Sequence, residues 1–117
     1  MSHFRTLRTK LTNAEILKAS LQDLGIWVQT DTYVRGYNGQ RVRADIVAVL
    51  EGEQDIGWCR NANGSFDMIA DLPGVGRKNN VAELTNALNQ KYAINQALAQ
   101  VKQRGLQTAN VKLVLQD

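Results

Sequence analysis

The sequence predicts a two-layer α+β fold: an antiparallel sheet, elements in the order β-α-β-β-β-β-α-β, with both helices packed on one face. Three observations carry this. Two segments with helical apolar spacing, near 13–24 and from Asn80 onward, have their own start and stop signals. Four strand-like segments follow one another between residues 27 and 72, joined only by short Asn-Gly or Gly-containing turns, which imply antiparallel pairing. The chain of 117 residues, 44% hydrophobic and 21% charged, has the mixture of one globular domain spanning 1–117. At that length roughly two-thirds of the unfolded surface is buried on folding, enough for a core without metal or disulfide staples.

The elements are justified in order. Residues 4–11 alternate and are rich in Thr, as an edge or half-buried strand does. Thr12-Asn13-Ala14-Glu15 matches a capping box, with the Thr12 hydroxyl accepting from the third helical N–H and Glu15 reaching back. Leu17, Leu21 and Leu24 continue the helix, and Gly25 supplies the left-handed residue that ends it. Residues 27–37 and 40–50 flank Asn38-Gly39, the signature of a two-residue type I′ hairpin. That turn sets Tyr37 opposite Gln40, Arg35 opposite Val42 and Tyr33 opposite Ala44, with the tip projecting from the sheet. A turn at Glu51-Gly52-Glu53 leads to a second hairpin around Asn63-Gly64, placing Arg60 opposite Asp67 and Trp58 opposite Ile69. Residues 73–79 read as a loop. A long helix with Glu83 at its third position then presents Val81, Leu84, Ala87, Leu88, Ile94, Leu98 and Val101 until Gly105, and residues 111–115 close as a strand.

Several stretches together resemble a known family. Met1-Ser2-His3-Phe4, residues 19–25 with Leu-Gln-Asp-Leu-Gly, Val34-Arg35-Gly36-Tyr37-Asn38-Gly39, Ala44-Asp45-Ile46-Val47, Asp55-Ile56-Gly57, and Tyr92-Ala93 ahead of Gly105-Leu106 are similar to the plastid hypothetical reading frame thirty-five family. The resemblance covers nearly the whole chain in order. It implies a photosynthetic-lineage, related bacterial or viral source, a stromal or cytoplasmic location without a transit peptide, and no established reaction. Between Leu72 and Val81 the chain departs from the family's aromatic-containing stretch. There Leu72-Pro73-Gly74-Val75-Gly76-Arg77-Lys78 resembles the hairpin of a helix-hairpin-helix DNA-binding motif. In such a hairpin Gly74 and Gly76 would let the backbone approach a phosphate, and Arg77 and Lys78 would add charge. The motif needs a helix before the hairpin, and the residues ahead of Leu72 read as a strand.

Composition excludes much chemistry. One cysteine, Cys59, and one histidine, His3, cannot make a disulfide framework, a structural zinc site or a Ser-His-Asp triad. No run approaches the ~18 apolar residues of a membrane span. The formal charge of +3 is small for a nucleic-acid protein without a local cluster. The one cluster near the hairpin tip is Arg35, Arg41 and Arg43 with Tyr33 and Tyr37, and no acid lies between Asp31 and Asp45. Arginine beside aromatics suits phosphate contact and base stacking, or an anion or a protein partner, although the two-residue turn sends Arg35 to the face opposite Arg41 and Arg43. Asp45, Asp55, Asp67 and Asp71 read as salt-bridge partners of Arg43 or Arg60, and Trp27 and Trp58 as core or sheet-face aromatics.

The expected function is a non-enzymatic accessory protein that binds another protein through Tyr33, Arg35, Tyr37, Arg41 and Arg43, with Gly74, Gly76, Arg77 and Lys78 as a second, anion-binding region. No cofactor, metal or membrane is called for, and the chain is expected to be a monomer or weak dimer. Two other readings are a weak nucleic-acid-binding module using Arg35, Arg41, Arg43, Arg77 and Lys78, and a small-ligand carrier with a pocket lined by Trp58, Met68 and Tyr92.

Overall fold

The computed structural model describes residues 3–76 and 79–103. It contains β1 (Arg5–Arg8), α1 (Ala14–Asp23), β2 (Trp27–Arg35), β3 (Arg41–Val49), β4 (Ile56–Arg60), β5 (Phe66–Ala70), a single helical turn α2 (Leu72–Val75) and α3 (Val81–Gln103). All five strands form one antiparallel sheet in the order β1-β5-β4-β3-β2. The α+β class and the succession of elements are therefore as the sequence indicates, with α2 standing where a loop was expected. The expected strand at 111–115 lies outside the described residues. Among those residues no helix is long and apolar enough to cross a membrane.

The helices cover one face. Leu17 and Leu21 of α1 and Leu88 and Tyr92 of α3 close over Ile46, Ala48, Ile56, Trp58, Phe66, Met68 and Ala70. The N-cap of α1 is Asn13, whose Oδ1 accepts from the Ile16 N–H at 3.0 Å, so the Thr12–Glu15 capping box is not used. Its reason lies in α3: the Tyr92 hydroxyl accepts from the N–H groups of Thr12 and Asn13 at 3.1 and 2.9 Å, fixing the entry to α1 from outside the local sequence. Gly25 ends α1 with φ +77°, and the Ile26 N–H donates back to Leu21. Asn80 caps α3 by accepting from the Glu83 N–H.

Both hairpin registers differ by one residue from expectation. In the first, Asn38 and Gly39 are both left-handed and the Gln40 N–H donates to Tyr37 O, as an Asn-Gly turn requires. The Tyr37 N–H, however, donates to Asp71 Oδ2 at 3.1 Å, and it is Gly36 N–H that donates to Gln40 O. Gly36 and Tyr37 thus oppose one residue, a β-bulge that shifts the ladder. Arg35 lies opposite Arg41 and Tyr33 opposite Arg43, not opposite Val42 and Ala44. In the second hairpin only Gly64 is left-handed, and Asn61 Oδ1 accepts from the Asn63 N–H, giving a three-residue loop. Trp58 then faces Met68, and Arg60 faces Phe66, over whose ring its guanidinium carbon lies at 4.3 Å.

The tip of the first hairpin does not project. Residues two apart on a strand normally share a face, yet Ile46 joins the helix-side core while Ala44 packs on the opposite side with Val34 and Val47. The turn-over falls at Asp31, left-handed at φ +50°, and at Asp45 across from it. Beyond that point the hairpin folds back over the face the helices leave open. Gly57 makes room: a Cβ there would meet the Val34 side chain and lie 2.8 Å from Ala44 Cβ. Phe4 packs under Gly36, and His3 sets its ring edge-on to Tyr37.

Candidate functional site

The folded-back end of the hairpin leaves a cleft of about 360 Å³ against its own base. Gln29 and Val49 belong to the base, Thr32, Tyr33, Arg35 and Arg41 to the folded end, and Asp55 to the approach to β4. The cleft follows from the turn-over at Asp31, since a straight ribbon would carry Tyr33 and Arg35 away from Val49.

Asp55 holds the arrangement in place. It is 2% exposed and accepts four hydrogen bonds: the Arg35 N–H and Nε at 3.1 and 2.8 Å on Oδ2, and Arg35 Nη2 and the Leu50 N–H at 2.8 and 3.2 Å on Oδ1. Arg35 Nη2 also donates to Leu50 O, and the Asp55 N–H donates to Arg35 O. The fork-to-carboxylate geometry specifies orientation as well as charge. These hydrogen bonds raise the Arg35 guanidinium above its ordinary value against the opposing effect of burial, with the charges of Asp55 and Glu53 adding to the rise.

Of the expected contact residues, Arg35 and Arg41 are brought to one cleft, correcting the expectation of opposite faces. Tyr33 lies at its wall, 51% exposed. Arg43 is exposed and reaches Asp31 at 3.6 Å. Tyr37, 46% exposed, sits on the turn against His3. Trp27, expected in the core or on a sheet face, is 67% exposed on the edge strand, whereas Trp58 is buried. The acids also differ from expectation. Asp55 pairs with Arg35, Asp71 accepts from Tyr37 and Gly74 backbone, Asp67 accepts from the Asn61 amide, and Asp45 accepts from the Arg60 N–H but forms no ion pair among the described residues.

The Gly74 and Gly76 region forms no open phosphate cradle. Gly74 N–H donates to Asp71 Oδ1 and Gly76 N–H to Leu72 O, while the Gln54 amide fills the space beside Gly74. Strand β5 occupies the place of the helix that a helix-hairpin-helix motif needs. Arg77 and Lys78 lie outside the described residues. Trp58, Met68 and Tyr92, the expected lining of a ligand pocket, are packed in the helix-side core. Cys59 is half-buried with its Sγ donating to Arg43 O at 3.4 Å, and burial, partly offset by its hydrogen bond at Asp45, pushes its thiol up. Among the described residues no group of three His, Cys, Asp or Glu side chains could hold a metal ion.

Comparison with known proteins places the sequence in a family. Residues 20–114 match the family model described as "Protein of unknown function (DUF1257)". A Guillardia theta protein named "Uncharacterized protein ycf35" is 34% identical over an alignment covering 99% of this chain and 97% of its own length. Plastid-encoded proteins of the same name from Pyropia yezoensis and Cyanophora paradoxa are each 26% identical, with the same coverage. No solved structure matches. The match over residues 20–114 and the full-length likeness to the Guillardia theta protein make the chain a member of the DUF1257 family, the family its sequence resembles.

Proposed function

We propose that the chain is a non-enzymatic accessory protein that binds another protein through the folded-back hairpin, in the plastid stroma or the cytoplasm. The carrying observation is the set of large side chains this hairpin leaves in solvent: Trp27, Tyr33 and Tyr37, with Arg41 and Arg43 between them. Trp, Tyr and Arg are the residue types that dominate binding energy at protein interfaces, and here they sit on one structural unit whose interior is already packed by Val34, Ala44 and Val47. The groups that could do chemistry nearby are engaged or muted. Both oxygens of Asp55 are filled, and the Cys59 thiol is held toward its neutral form. The plastid-encoded relatives support the stromal alternative.

The test is site-specific photo-crosslinking in the native cell, with the reactive side chain placed at Trp27, at Tyr37, and as a control at the exposed Gln96 of α3. The expected result is one discrete protein adduct from positions 27 and 37, resistant to nuclease and absent from position 96. Nuclease-sensitive adducts would transfer the surface to nucleic acid, and equal labelling from all three positions would refute a defined surface.

A further inference from the structure

The cleft under the hairpin is unbalanced in its hydrogen-bonding groups. Its only carboxylate among the described residues, Asp55, already accepts four hydrogen bonds. Among the described residues the side chains of Gln29, Thr32, Tyr33 and Arg41 form none with the rest of the chain, and Arg41 has no acidic ion-pair partner. The bulge at Tyr37 also sets Arg35 and Arg41 directly across the ladder, where like charges repel. Asp55 neutralises Arg35, so the lining keeps one net positive charge and a surplus of donors. A cleft of this volume accommodates a single side chain or a molecule of similar size.

We infer that this cleft recognises a carboxylate, supplied by an aspartate or glutamate side chain of the protein partner. Arg41 takes the carboxylate through its guanidinium fork, with the Thr32 and Tyr33 hydroxyls donating to the same oxygens. A monoanion matches the one unbalanced charge. A phosphate monoester, nearer two negative charges, would face Asp55 in the cleft and Glu53, which lines the neighbouring recess with Arg35 and Arg41. This assignment rests on the protein-binding reading, and its test separates the two.

The isotope-labelled protein is titrated with N-acetyl-glutamate N-methylamide, with acetate, with succinate and with inorganic phosphate, following the Arg41 Nε–H and the backbone amides of Thr32 and Tyr33 by NMR. Capped glutamate is expected to give saturable shifts at all three residues, with phosphate weaker. Arg41→Ala should weaken the capped-glutamate affinity by about fivefold or more, the size of one charged hydrogen-bonded contact. Tyr33→Phe, which removes one O–H and leaves Arg41 in place, should weaken it by about two- to threefold. No saturable shift at tens of millimolar, or shifts unchanged by Arg41→Ala, would overturn the inference, as would tighter binding of phosphate. Succinate binding far more tightly than capped glutamate would overturn the partner as the source and assign the cleft to a free acid. If the crosslinks from positions 27 and 37 persist at full yield in Arg41→Ala, protein binding stands and carboxylate recognition falls. If the crosslinks are absent while the titration succeeds, the protein reading falls and the partner as the source falls with it.

Discussion

Replacing Asp55 removes the acceptor that ties the hairpin end to the approach to β4. Two of its four bonds are to backbone N–H groups, of Arg35 and Leu50. A buried N–H left without a partner costs about 1–3 kcal/mol. The other two are to the Arg35 fork, and breaking a fully buried ion pair costs about 3–5 kcal/mol. Arg35, however, has a side chain 40% exposed and can turn to water, so the ionic part is well below that range. For Asp55→Ala the expected loss is about 3 kcal/mol, which in a domain of this size lowers the melting temperature by roughly 12 °C. Asp55→Asn keeps one acceptor oxygen and should lose about 2 kcal/mol. The assay is urea unfolding followed by the two tryptophans, where the midpoint falls while the slope stays constant. The double variant Asp55→Asn with Arg35→Met should be less damaging than the two single losses added together, because the pair is coupled. A loss below about 1 kcal/mol for Asp55→Ala would refute the claim that this carboxylate organises the cleft.

Three further predictions follow from the packing. Gly57→Ala should destabilise by about 2 kcal/mol by wedging the hairpin end off the sheet, and a shift of the Val34 methyl resonances would locate the damage. Tyr92→Phe should lose about 1–2 kcal/mol by orphaning the Thr12 and Asn13 N–H groups, read by denaturation and by faster amide exchange at those two positions. Because burial favours the neutral Cys59 thiol, alkylation should be slower than for free cysteine near neutral pH and rise only at more alkaline pH. The unfolded thiol ionises first, so the small stability contribution is fully present below the ordinary cysteine range and is lost as pH climbs from there through the raised native value, measurable as unfolding midpoints against pH for wild type and Cys59→Ala.

What was legible in the sequence was whatever neighbouring residues decide. Asn38-Gly39 forms its turn, Gly25 stops its helix, and Asn80 with Glu83 starts the last one. What was hidden depends on residues far away in the chain. The first register turns on Asp71 capturing the Tyr37 N–H from 34 residues downstream, and no local pattern competes with a buried carboxylate in that place. The pairing of Asp55 with Arg35 depends on the fold-back, which depends in turn on Gly57 lacking a side chain under Val34. A glycine in an apolar strand is a signal that another backbone or side chain approaches closely, and Ile56-Gly57-Trp58 carried that signal. The anchoring of the entry to α1 by Tyr92 was hidden for the same reason, since a tyrosine on a helix face reads as core until its hydroxyl's partners are known.

The left-handed backbone at Asp31 has a consequence for behaviour at high concentration. Strand β2 is an outer strand of the sheet, nine residues long and rich in Val, Thr and aromatics, the composition from which chain-to-chain fibres grow. Asp31 divides it into two runs of four residues that lie in different planes, with a charged side chain at the joint. A second molecule adding along this edge could extend its ladder through one run before the direction of the N–H and C=O groups changes. The feature that opens the cleft therefore also keeps the most adhesive border of the sheet from acting as a template.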